Sequence, residues 1–199
     1  MTNKDHIESV INRTFKIIQE VYDNQQELNG IKGKGSGSRI IFPMKRGTET
    51  RISEQELRFI FVEQLNKEIE GMWDIYYSVE TPTMDTYYFK GDNPGRKDDG
   101  QSANFDLVIH DSNFKRIALI EFKANNPVEH EYKKDFSKLN NEKEGDGLLR
   151  YFIEIVKTFD NGTCKNIHEK IQGNESIFLC YSLDGKGEMT SDVCKAPIG

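Results

Sequence analysis

The chain has 199 residues and a mass of 23.0 kDa, enough for one domain with a full hydrophobic core and too little for two of ordinary size. Hydrophobic residues make up 36% and charged residues 30%, and no apolar run reaches bilayer length, so the composition predicts a soluble protein and excludes a membrane-spanning one. A net charge of -6 excludes a uniformly basic surface, so any polyanionic partner must meet a local basic face.

The start, MTNKDHIESV, lacks the charged-then-apolar pattern of a secretory signal, and a cytoplasmic location is expected. Three scattered cysteines, Cys164, Cys180 and Cys194, argue against a disulfide framework. With His168 they could supply a zinc site, but the spacings match no common finger and Cys180 falls in an apolar strand pattern. Buried or incidental thiols are the better reading.

A single domain over 1–199 is expected, divided into an N-terminal helix (1–29), a linker (30–50), a core (51–182) and a tail (183–199). Ile7, Val10, Ile11, Phe15, Ile18, Val21 and Tyr22 recur at helical spacing between Lys4 and Leu28. The glycines 30, 33, 35 and 37 resemble a phosphate cradle, but no strand precedes them and no GK[ST] follows, so a flexible linker is predicted. A second helix opens at Ser53 with the capping box Ser53 to Glu56 and ends near Gly71.

Two aromatic-rich strands, Trp73 to Glu80 and Met84 to Lys90, are predicted on either side of Thr81-Pro82. Gly91 to Ser102 carries no large apolar residue and reads as an exposed, mobile loop. Ala103 to His110 and Arg116 to Ala124 alternate strictly, and the short DSNFK turn makes them an antiparallel hairpin. Helices are predicted from Val128 to Leu139 and from Leu148 to Phe159, a buried strand from Ser176 to Ser182, and a poorly ordered tail after Asp184.

Parity narrows the hairpin further. Pairing Phe105 with Phe122, Leu107 with Ile120 and Ile109 with Ala118 gathers one apolar face. The same register sets Asp106 opposite Glu121, with Lys123 one step along, on a face otherwise formed by Val108, Ile117 and Leu119. Two carboxylates on a partly buried face repel each other and lose solvation, which folding does not favour unless a cation lies between them. Mg²⁺ takes one or two protein carboxylates and completes its shell with water and phosphate oxygens. Such a centre activates water and neutralises developing charge, with Lys123 placed to orient or deprotonate the attacking water. The competing explanation is a cross-strand salt-bridge group.

An acidic residue in one strand followed by a strand ending E-x-K resembles the PD-(D/E)XK nucleases, the restriction-endonuclease-like superfamily. Here the motif reads NFD at Asp106 and EFK at Glu121 to Lys123, within a matching order of elements from Arg51 to Ser182; Phe105 stands where the family name has proline. The resemblance implies an α/β fold with a mixed four- to five-stranded central sheet flanked by helices, to which this chain adds an N-terminal helix. It implies Mg²⁺, with Mn²⁺ as substitute, held by Asp106, Glu121 and the Phe122 carbonyl, and a water positioned by Lys123. It also implies a glutamate from the first core helix; Glu54 extends the buried stripe and is assigned to the site, Glu56 to the cap.

The expected activity is a metal-dependent DNA endonuclease, as a homodimer or with a partner protein. The alternative is a catalytically weak or inactive module of the same fold that binds nucleic acid or protein. Basic residues cluster at Arg39, Lys45, Arg46 and Arg51, at Lys90, Arg96 and Lys97, and at Lys133, Lys134, Lys138 and Lys143; each cluster alone reads as solvated surface. Tyr76, Tyr77, Tyr87 and Tyr88 could stack bases but fit core strands better. His130 reads as surface, and Asn125 and Asn126 as a turn.

Overall fold

The computed structural model describes residues 1–27, 37–46, 49–70, 74–88, 95–96, 100–125, 127–158, 162, 165–166, 169, 176–183 and 187–190. Helix α1 (Asn3–Glu27) buries the stripe of Ile7, Val10, Ile11, Phe15, Ile18 and Val21. It lies against α2 (Glu54–Glu70), which buries Leu57, Ile60, Phe61, Gln64 and Leu65. Spacings of three and four put each set on one side of its helix, so the two stripes share one core.

Part of the expected linker is built structure. A two-stranded hairpin, β1 (Met44–Lys45) and β2 (Glu49–Thr50), precedes α2. Phe42 is fully buried, and the Gln25 amide brackets its backbone, donating to its carbonyl and accepting from its N–H at 2.7 Å each. The glycines at 30, 33 and 35 lie outside the described residues.

The centre is one mixed sheet. Its strands are β3 (Ile75–Tyr88), β4 (Gly95–Arg96), β5 (Gln101–Asp111), β6 (Arg116–Ala124), β7 (Leu149–Val156), β8 (Ile177–Ser182) and β9 (Gly187–Thr190), in spatial order β4-β3-β5-β6-β7-β8-β9. Strands β3 to β7 form the expected five-stranded mixed sheet, and β8 and β9 extend it to seven, the edge strands being short. Neighbours are antiparallel except β6-β7-β8, which run parallel. Parallel neighbours need a crossover. Between β6 and β7 it contains α3 (Glu129–Leu139) and a 3₁₀ turn (Glu142–Glu144). Helices α1 and α2 cover one face over Leu107, Ile109, Ala118, Ile120, Phe122 and Ile153. Helix α3 covers the other, where Phe136, Phe152 and Phe178 stack in succession.

Five expectations are corrected. The helix expected from Leu148 to Phe159 is β7: Tyr151 to Val156 are all buried. A strand covered on both faces carries apolar residues on both, here Tyr151, Phe152, Ile153, Ile155 and Val156 around the buried Glu154, which erases alternation and leaves a chance match to helical spacing. The two strands divided at Thr81-Pro82 are one, β3, with its register shifting between Pro82 and Thr86. Among the described residues β4 pairs only with Tyr87 and Tyr88, so no ladder described there needs an N–H from Pro82. Within the expected loop at 91–102, Gly95–Arg96 forms β4 and Gln101 opens β5; within the expected tail, β9 pairs with β8.

The fifth concerns parity. The hairpin has the expected register at Leu107↔Ile120, Val108↔Leu119 and Ile109↔Ala118. Phe105, however, packs in the α3 core while Leu107 packs in the other, so alternation breaks at Asp106. Ile117 also joins the α1/α2 core, next to a register shift between Ile109 and His110. No helix among the described residues is long and apolar enough to cross a membrane.

Candidate functional site

The break in alternation is where the site opens. The β5–β6 ladder stops at Leu107↔Ile120, and beyond it a side chain replaces the backbone: the Phe122 N–H donates to Asp106 Oδ2 at 2.7 Å. Asp106 Oδ1 lies 3.6 Å from the Arg58 guanidinium of α2, which also binds Glu80. A cavity of about 700 Å³ occupies the fork, walled by Glu54, Gln55 and Arg58 of α2, Asn104 and Asp106 of β5, Glu121 and Lys123 of β6, and Lys134, Asp135 and Lys138 of α3. At its edge Gly100 passes so close to β3 that a Cβ there would lie 2.5 Å from the Tyr87 carbonyl oxygen.

Glu121 is 2% exposed and paired with Lys138. The Lys138 ammonium donates also to the Asn104 carbonyl at 2.8 Å and sits 2.9 Å from Asp135 Oδ1. The other Asp135 oxygen is 2.8 Å from the Lys123 ammonium, which is 3.6 Å from Glu54. Two lysines from different elements are thus joined through one carboxylate.

Burial, then the negative charge of Asp135, pushes the Glu121 carboxyl well above its usual range against the opposing pull of Lys138. Burial alone would lower Lys123 and Lys138. The charges of Asp135 and Glu121 outweigh it and raise both, so both stay ammonium ions at neutral pH. All three shifts favour holding protons, as expected where five carboxylates face four cations around one cavity.

Asp106, Glu121, Lys123 and Glu54, nominated from sequence, all line this cavity, while Glu56 is hydrogen-bonded to Ser53 at the helix start. Arg58, Asp135 and Lys138 were not nominated. Lys138 had been grouped with surface lysines, yet only 3% of its side chain is exposed. The available signal was its register: Asp135 and Lys138 flank Phe136 and Leu139, the buried stripe of α3, and so point towards the sheet. Lys134 also lines the cavity, whereas Lys133 pairs with Glu129 at the surface and Lys143 is exposed.

Arg39, Lys45, Arg46, Arg51 and His130 are exposed away from it. Tyr87 is buried with its hydroxyl on Glu144; Tyr76 is half exposed against Phe114; Tyr77 packs in the core. Asn125 adopts a left-handed turn (φ 66°) and binds the Ile52 carbonyl. Cys180 is buried in the α3 core. Cys164, Cys194, His168, Lys90, Lys97 and Asn126 lie outside the described residues.

Among the described residues no three His, Cys, Asp or Glu side chains are grouped so as to hold a metal ion by themselves. Comparison of the chain with protein-family models, curated proteins and solved structures finds no match.

Proposed function

We propose that the protein hydrolyses phosphodiester bonds of nucleic acid, with DNA as its substrate and Mg²⁺ or Mn²⁺ held at the fork, in the manner of the PD-(D/E)XK nucleases. The observation that carries this reading is the meeting of Asp106, Glu121 and Lys123 in one cavity at the end of the β5–β6 ladder. The donor set fits the ion: Asp106 and Glu121 are hard oxygen ligands, and Mg²⁺ uses one or two protein carboxylates with water and substrate oxygens supplying the rest. A fully buried carboxyl with a raised proton affinity is also a group that a divalent cation would stabilise in its charged form. Along a regular strand the carbonyl of Phe122 points to the same side as its N–H, towards Asp106, which makes it the natural backbone ligand.

The bound ion would supply an acidified water and neutralise charge at the scissile phosphate. Lys123, kept as an ammonium by Asp135 and Glu121, acts as a donor: it orients the attacking water and stabilises charge developing on phosphorus oxygens. A lysine so held is a poor base, which narrows the two roles expected from sequence to one. Asp106 is held by the Phe122 N–H and Arg58, so its oxygens are fixed before any ligand arrives. Glu54, at the opening turn of α2, is the further acidic candidate.

Cleavage of plasmid and single-stranded DNA with MgCl₂ or MnCl₂ tests the reading. The wild type should nick or linearise DNA only with metal, and Asp106→Ala and Lys123→Ala should each lower the rate at least 100-fold with unchanged circular dichroism. The pairing of Glu121 with Lys138 favours a second reading, a module of this fold that binds nucleic acid or protein without turnover. DNA binding with no cleavage under any divalent cation would select it.

A further inference from the structure

Lys138 occupies a position that suits a cation. Its ammonium is enclosed by three oxygens: Glu121 Oε1, Asp135 Oδ1 at 2.9 Å and the Asn104 carbonyl at 2.8 Å. All three are hard donors of the kind a divalent cation selects, and one of them belongs to a proposed metal ligand. Without a cation there, Glu121 would face Asp106 and Asp135 inside the protein, an arrangement that strongly disfavours folding. The lysine therefore gives the metal-free chain a satisfied interior.

The ammonium also has somewhere to go. Released from Glu121, it still keeps Asp135, the Asn104 carbonyl and the ring face of Phe105, whose centroid is 5.6 Å away. Displacing it breaks one of four contacts, and a long unbranched side chain permits that without moving α3. We propose that Lys138 is a built-in competitor for the divalent cation, neutralising Glu121 in the metal-free protein and yielding it when metal binds. The proposal rests on the metal-dependent reading above and adds how affinity at that site is set. The apparent metal affinity is the intrinsic one reduced by the fraction of molecules in which Lys138 has let go. Mn²⁺, bound more tightly than Mg²⁺ by such oxygen sites, should displace it more readily.

Calorimetric titration with MnCl₂ of wild type, Lys138→Gln and Asp106→Asn tests this, together with ¹⁵N-lysine NMR of the wild type during addition of MgCl₂. The proposal expects Lys138→Gln to bind Mn²⁺ at least tenfold more tightly than wild type. It also expects the slowly exchanging Lys138 ammonium signal, identified by its contact with the Phe105 ring, to shift and lose protection as Mg²⁺ is added. If Lys138→Gln binds Mn²⁺ no better than wild type and the ammonium signal ignores Mg²⁺, while Asp106→Asn abolishes binding, the competitor is refuted and the metal site stands. If neither wild type nor Lys138→Gln binds metal, the metal-dependent reading fails and takes this proposal with it. Should Lys138→Gln not fold, the wild-type NMR titration decides alone.

Discussion

Asp135 shows how much one side chain organises. Its two oxygens hold two ammonium groups, one from β6 and one from its own helix, and its charge is a named cause of the shifts at Glu121, Lys123 and Lys138. The pH consequence is sharpest at Glu121. Its folded-state proton affinity is raised, so it favours the fold most below the ordinary carboxyl value near 4.5 and loses that contribution as pH climbs through the raised value. Once ionised, the group is held in the metal-free fold by its pairing with Lys138. The stability of Glu121→Gln relative to wild type should therefore be greatest on the alkaline side of that titration. Thermal melts in metal-free buffer should show the variant losing ground to wild type as pH falls to about 5; a variant that gains ground instead would contradict the shift.

At the scale of elements, α3 carries half of the site's cations and reaches the sheet through Phe136, which stacks on Phe152 at 4.6 Å, itself stacked on Phe178 at 5.5 Å. Phe152→Ala leaves a void in the middle of that column and should cost about 3–5 kcal/mol in urea unfolding. Because it also loosens the seat of α3, any metal-dependent cleavage should fall by more than the loss of folded protein explains. β7, which bears Phe152, was also the element least legible in the sequence. Both helices of the first layer declared themselves by periodicity, and the hairpin by strict alternation with a five-residue turn. Arg150 to Val156 had no such signature, because a central parallel strand is buried on both sides. The acidic pair and Lys123 were legible because E-x-K fixes two groups on one strand face; Asp135 and Lys138 were not, since their site depends on a crossover that no local pattern encodes.

For the whole molecule, a net charge of -6 limits how a polyanion is held. The cations facing the cavity are few and mostly committed to carboxylates, and the exposed basic residues at 39, 45, 46 and 51 lie away from it. Binding to DNA should therefore neutralise only a few phosphates. With CaCl₂ in place of MgCl₂, fluorescence anisotropy against NaCl should give a slope of log K on log salt of about -2 to -3. A slope steeper than about -6 would require a basic face formed from residues elsewhere in the chain or from a partner.

The first helix has a bearing on how this molecule comes into being. Phe15 of α1 stacks on Tyr181 of β8 at 4.9 Å, and the Gln19 amide donates to the carbonyl of Leu183, 164 positions further on. On the ribosome, α1 is made well ahead of β8, and its full apolar stripe is covered only once β8 has followed. At ordinary elongation rates of about 5–20 residues per second, that interval is roughly 8–30 s. During synthesis this helix is therefore a segment open to a chaperone, and chains cut before β8 should precipitate where the 199-residue chain stays in solution.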